Sequence, residues 1–116
     1  MIKNRRSFIV GLKSTSLLSK EKFFLLKYKP WGIILFSRNI KNLSQARKLT
    51  DDIRSIFKDK KYPILIDEEG GRVSRLKKIQ DNSIFSGSFF GKMYVRDKKK
   101  FESYYKIFID QTSFFL

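Results

Sequence analysis

Pro63-Ile64-Leu65-Ile66-Asp67-Glu68-Glu69-Gly70-Gly71-Arg72-Val73-Ser74-Arg75 is the stretch on which the reading of this chain turns. An apolar run without alternation stops abruptly at three carboxylates and two glycines. A run that stays apolar at every position is buried on both faces, which marks a strand of a parallel sheet. Upstream, Gly32-Ile33-Ile34-Leu35-Phe36 repeats the pattern and ends at polar Ser37-Arg38-Asn39. Ser7 to Leu12 reads as a third, shorter strand, β-branched and aromatic in its middle.

Between these runs the period changes. Leu43, Ala46, Leu49, Ile53, Ile56 and Phe57 recur at helical steps over residues 42–57, with Arg47, Lys48, Asp51, Asp52 and Arg54 on the other face. Ser19 stands in an N-cap position with Glu21 in the first turn, predicting a helix to about Tyr28 that Pro30 stops. A last helix is predicted from near Asp97, with Phe101, Tyr104, Tyr105, Phe108, Ile109, Thr112, Phe115 and Leu116 along one stripe. Alternating strands and helices are the grammar of an α/β fold with a parallel sheet. Three strands with bare edges cannot be the whole of such a sheet, and the last helix has no glycine stop. The expected architecture is therefore part of a larger fold, cut off within it.

The 116 residues suit one small domain, and no repeat or linker suggests a second. The chain has no cysteine and no histidine, which excludes a disulfide framework, cysteine- or histidine-ligated metals and imidazole acid/base chemistry within it. No run approaches the roughly 20 apolar residues of a spanning helix. Residues 8–12 are too short for a secretory core, so the expected location is the cytoplasm. Net charge is +15, and residues 1–48 hold twelve basic side chains against one acid. A basic half of this kind attracts nucleic acid or anionic lipid. The alternative is a lysine-rich solvated surface, since Lys, Ile and Phe all have A- and T-rich codons and the chain holds a single Ala.

Charged residues at the carboxyl end of a buried parallel strand stand where α/β folds bind ligands. A carboxylate accepts bonds from adjacent sugar hydroxyls, and an arginine offers a planar fork of donors. Gly70 and Gly71 allow the backbone to turn tightly enough to aim the carboxylates into a pocket. The plainer alternative is an acidic turn whose Arg72 and Arg75 neutralise Glu68 and Glu69. Clustered carboxylates also suit a hard cation, but two arginines so close by argue against a metal site. No P-loop or dinucleotide-binding glycine pattern is present.

Gly32 to Asn39, an amphipathic helix, and then Asp67 to Arg75 together resemble the N-terminal part of the family 3 glycoside hydrolases, in particular the bacterial beta-N-acetylhexosaminidases of peptidoglycan recycling. The blocks follow that family's forms G-x-I-L-F-x-R-N and D-x-E-G-G-R-V-x-R. The resemblance covers roughly residues 8–116 and implies one partial domain, the first three or so strands of a (β/α)8 barrel. It implies a glycosidase that removes terminal N-acetylglucosamine from muropeptides with retention and without a cofactor. Asp67 would bind a ring hydroxyl and Arg75 would contact the same sugar, while Glu69, Arg72 and Arg38 would support them or simply pair as ions. Glu68 stands where Gln is commoner. The family's acid/base is a histidine in a segment resembling K-H-F-P-G-H-G, and its nucleophile is an aspartate near a later strand. This chain has no histidine, so no catalytic residue is assigned in it.

A reading of a different class takes the chain as a small basic protein that binds nucleic acid or another polyanion. Lys20, Lys22, Lys27 and Lys29 interleave with Phe23, Phe24, Tyr28 and Trp31. Aromatics stack on bases while lysines contact phosphates. The same aromatics, however, lie at core spacing, and no sequence-specific nucleic-acid motif is present.

Overall fold

The computed structural model describes residues 4–114, and the expectations for Phe115 and Leu116 lie outside them. In chain order the elements are β1 (Arg6–Gly11), α1 (Ser19–Tyr28), β2 (Pro30–Leu35), a 3-10 turn (Ser37–Asn39), α2 (Leu43–Phe57), β3 (Ile64–Ile66), α3 (Gly87–Arg96) and α4 (Lys98–Phe114). The three strands form one parallel sheet in the order β1-β2-β3, so the order never reverses. No helix among the described residues is long and apolar enough to cross a membrane.

Register explains which residues reach the core. Val10 faces Ile33, Ile33 faces Ile64, and Leu35 faces Ile66. This side of the sheet meets Leu25 of α1 and Leu49, Ile53 and Phe57 of α2, all buried with Leu12 and Tyr62 in one cluster. Burying side chains of this size contributes about 1.5–3 kcal/mol each. α2 delivers its stripe as its period predicts, and its N-cap Asn42 accepts a bond from the Gln45 amide at 2.8 Å.

Three expectations need correction. Ser19 does not cap α1, because the cap position is Leu18. Glu21 does the work instead, accepting from the amides of Leu18 at 3.0 Å and Lys13 at 2.8 Å. The α1 aromatics are not core: only Leu25 of this helix is buried, and Phe23 is 68% exposed. Finally, the helix expected from Asp97 is preceded by another, α3. Gly87 and Gly91 conceal α3 from a propensity reading, although Ser86 caps it by accepting from the Phe89 amide at 3.1 Å. α3 and α4 pack on each other through Phe90, Phe101, Tyr105 and Phe108. Tyr104 and Ile109 of the expected stripe are exposed, since α3 covers only one side of α4.

Tyr62 supplies a test of this core. It is 1% exposed, stacks on Phe57 with ring centroids 4.0 Å apart, and donates its hydroxyl to the Pro30 carbonyl at 2.8 Å. Burial pushes its phenol up to about 12, against the lowering pull of the Arg5 guanidinium, which lies 4.9 Å from the ring centroid and also pairs with Asp59. The folded chain thus holds the proton more tightly than the unfolded chain, whose tyrosine titrates near 10. The resulting stability is complete below about pH 10 and is lost as pH rises towards 12. Denaturant midpoints should show about 2 kcal/mol less stability at pH about 11.5 than at pH about 9. Tyr62→Phe should remove most of that slope; an unchanged slope would show that other groups set it.

Candidate functional site

β3 ends at Ile66, opposite the last residue of β2, so Asp67 is the first residue past the sheet. The chain then turns through Gly70 and Gly71, both at positive φ (74° and 58°), and Gly70 forms an antiparallel bridge with Val73. A side chain at position 71 would also meet Ser86, with Cβ only 3.0 Å from its Cβ. The turn folds the chain back so that Arg75 reaches Asp67, with Nη2 at 3.8 Å from Oδ2. The two residues expected to bind sugar are thereby brought together. Within the acidic-turn alternative the partner differs from the expected one, because Arg75 pairs with Asp67 rather than with Glu68 or Glu69.

Glu68 has a different task. Its Oε2 accepts from the backbone amides of Arg75 at 2.7 Å and Leu76 at 2.9 Å. One side chain thus closes the loop and sets the approach of Arg75 to Asp67. A glutamine carbonyl could accept the same two bonds. Glu69 and Arg72 are exposed and make no ion pair among the described residues. No three acidic side chains among the described residues converge as metal ligands.

The wall beside this loop comes from the end of β2. The Arg38 guanidinium lies 4.6 Å and the Arg75 guanidinium 5.8 Å from the Phe36 ring centroid. Arg38 Nε donates to the Leu12 carbonyl at 2.8 Å. Asn39 is fully buried: it accepts from the Phe36 amide at 2.9 Å and donates to the carbonyls of Leu12 at 3.0 Å and Ser14 at 2.8 Å. It ties the ends of β1 and β2 together beneath Phe36. Phe36 and Asn39 belong to the first sequence block and stand directly past the end of β2, Asn39 closing the 3-10 turn. Glu68 Oε1, Ser74 Oγ and Arg75 Nε are buried in the loop without a hydrogen-bond partner.

Asn39→Ala should cost about 2–4 kcal/mol, since it orphans buried groups on two strand ends. Asn39→Asp should cost nearly as much, because it keeps the acceptor and loses both donors. A denaturant midpoint shift below about 0.5 kcal/mol for either would remove Asn39 from this role.

The chain is thus a mixed α/β unit with a three-stranded parallel sheet that sets a carboxylate and a guanidinium side by side past a strand end. No family model matches the chain. It is similar to the Beta-hexosaminidase of Alkalilimnicola ehrlichii, with 42% identity over 71 residues, 60% of this chain and 20% of that protein. Among solved structures it is similar to NagZ from Neisseria gonorrhoeae. In the complex of that protein with a zinc ion, the match has a TM-score of 0.65 and 30% identity and covers 80% of this chain and 27% of that one. In its complex with N-trifluoroacetyl-D-glucosamine the match has a TM-score of 0.56 and 36% identity and covers 61% and 21%. The resemblance carried by the two blocks is thus found again over most of the chain, which spans about a fifth of the length of the curated relatives it matches.

Proposed function

We propose that this chain forms the sugar-binding wall of a beta-N-acetylhexosaminidase of the family 3 glycoside hydrolase kind. In this reading Asp67 accepts hydrogen bonds from hydroxyls of an N-acetylglucosamine ring. Arg75 closes over the same ring, and Glu68 holds the two in place. The observation that carries the reading is the Asp67–Arg75 pair at the end of β3. The likeness to a NagZ structure holding an N-acylated glucosamine supports it. The whole enzyme would release terminal N-acetylglucosamine from peptidoglycan-derived muropeptides with retention, in the cytoplasm, as part of peptidoglycan recycling. Its nucleophile and acid/base would come from residues this chain does not carry.

The sheet would then be the first three strands of a (β/α)8 barrel. The unreversed strand order supports this, and so does a cavity of about 550 Å³ between α2 and β3. It is lined by Leu35, Ile40, Ala46, Ile64, Ile66 and Ile79, among others, where a following strand and helix would pack. The test is a chimera in which this chain replaces the matching segment of a beta-hexosaminidase relative. It should hydrolyse an aryl N-acetylglucosaminide. A folded but inactive chimera would overturn the reading.

A further inference from the structure

At the other end of the sheet lies a surface that the hexosaminidase reading does not use. Arg6 pairs with Pro30, the first residue of β2, whereas the Asp67 loop follows the strand ends. The six residues of β2 at about 3.3 Å each separate the two by roughly 16 Å. Here Lys27 Nζ lies 5.9 Å from the Phe23 ring centroid and 5.2 Å from that of Tyr28. The Arg6 guanidinium lies 5.6 Å from Tyr28, and Phe24 packs on Tyr28 at 4.7 Å between centroids. Phe23, Phe24 and Trp31 are 68%, 39% and 45% exposed. Lys29 borders the cluster and is exposed as well, whereas Lys20 stands at the start of α1, towards the carboxyl end of the sheet. Glu21 is the single acid of α1, and both its oxygens are engaged by backbone amides at the helix start.

We infer that this face of α1 binds single-stranded nucleic acid without sequence preference. Bases would stack on Phe23 and Phe24, and phosphates would lie against Lys27, Lys29 and Arg6. Aromatic faces open to solvent and bordered by cations are the platform such strands use, because every base offers a π-face. Charge complementarity favours an anionic partner. A membrane surface fits less well, because an interfacial helix separates its apolar from its basic side. On α1, Lys20, Phe23, Phe24 and Lys27 share one side at i+3 and i+4 spacing.

The test titrates the 116-residue chain into labelled oligothymidine about twenty nucleotides long, read by anisotropy and by the fluorescence of Trp31, the one tryptophan. An abasic strand of equal length and phosphatidylserine vesicles are run beside it. Oligothymidine should bind more tightly than the abasic strand, quench Trp31, and weaken steeply between about 50 and about 200 mM salt. Phe23→Ala, at an exposed position, should cost at least about fivefold with oligothymidine and nothing with the abasic strand. Lys27→Gln should weaken both and lower the salt slope by about 0.7. Equal affinity for the two strands, indifference to Phe23→Ala, or tighter Phe23-dependent binding to the vesicles would each overturn the inference. So would no binding at all.

Discussion

The 116-residue chain, purified alone, is expected to give no turnover of an aryl N-acetylglucosaminide. Retaining hydrolysis needs a nucleophile on one side of the glycosidic bond and an acid/base on the other. The groups at the end of β3 are Asp67, Glu68 and Arg75. Asp67 is ion-paired with Arg75, and Glu68 Oε2 is committed to two backbone amides. They lie on one side of the loop, and among the described residues no three acidic side chains converge there. The chain has no histidine to serve as the acid/base of the family it resembles. Turnover that co-purifies with the chain and survives contaminant controls would overturn this expectation.

In the active chimera, Asp67→Ala and Arg75→Ala are expected to lower kcat/KM about tenfold to a hundredfold each. The loss of a charged hydrogen-bond partner is typically worth about 1.5–3 kcal/mol. Their effects should be less than additive in the double variant, because each positions the other across the 3.8 Å contact. Glu68 separates binding from positioning. Glu68→Gln keeps an oxygen for the amides of Arg75 and Leu76 and should stay within about threefold of the parent. Glu68→Ala leaves both amides without a partner and should approach the loss seen for Arg75→Ala. If Glu68→Gln abolished activity while Asp67→Ala did not, the sugar-binding carboxylate would be Glu68.

Much of the fold was legible because its signals are local. An apolar run without alternation predicts a strand of a parallel sheet, and Ile33, Leu35 and Ile64 stand in such strands, although Ile64–Ile66 are only half-buried where the run implied cover on both faces. The stripe of α2 is likewise a property of helical spacing and holds whatever packs against it. The loop at Asp67 was legible for a similar reason. Carboxylates straight after a buried strand have nowhere to go but its end, and two glycines tell where the chain turns back.

What the linear chain could not decide were matters of who meets whom. The exposure of Phe23 and Phe24 depends on how little of α1 the sheet covers, so aromatics at core spacing lie open. Glycines mask α3, which forms because Phe90 has Tyr105 and Phe108 to pack against. Asn39 meets the carbonyls of Leu12 and Ser14, 27 and 25 residues away, only when the strands align, and Glu68 meets the amides of Arg75 and Leu76 only when its loop turns back. Residue pattern and spacing determined the strands and the main helix, and the resemblance to a known family singled out Asp67 and Arg75; tertiary packing alone decided which polar groups hold those two in place, because a hydrogen bond is specified by position in space and not by position in the chain.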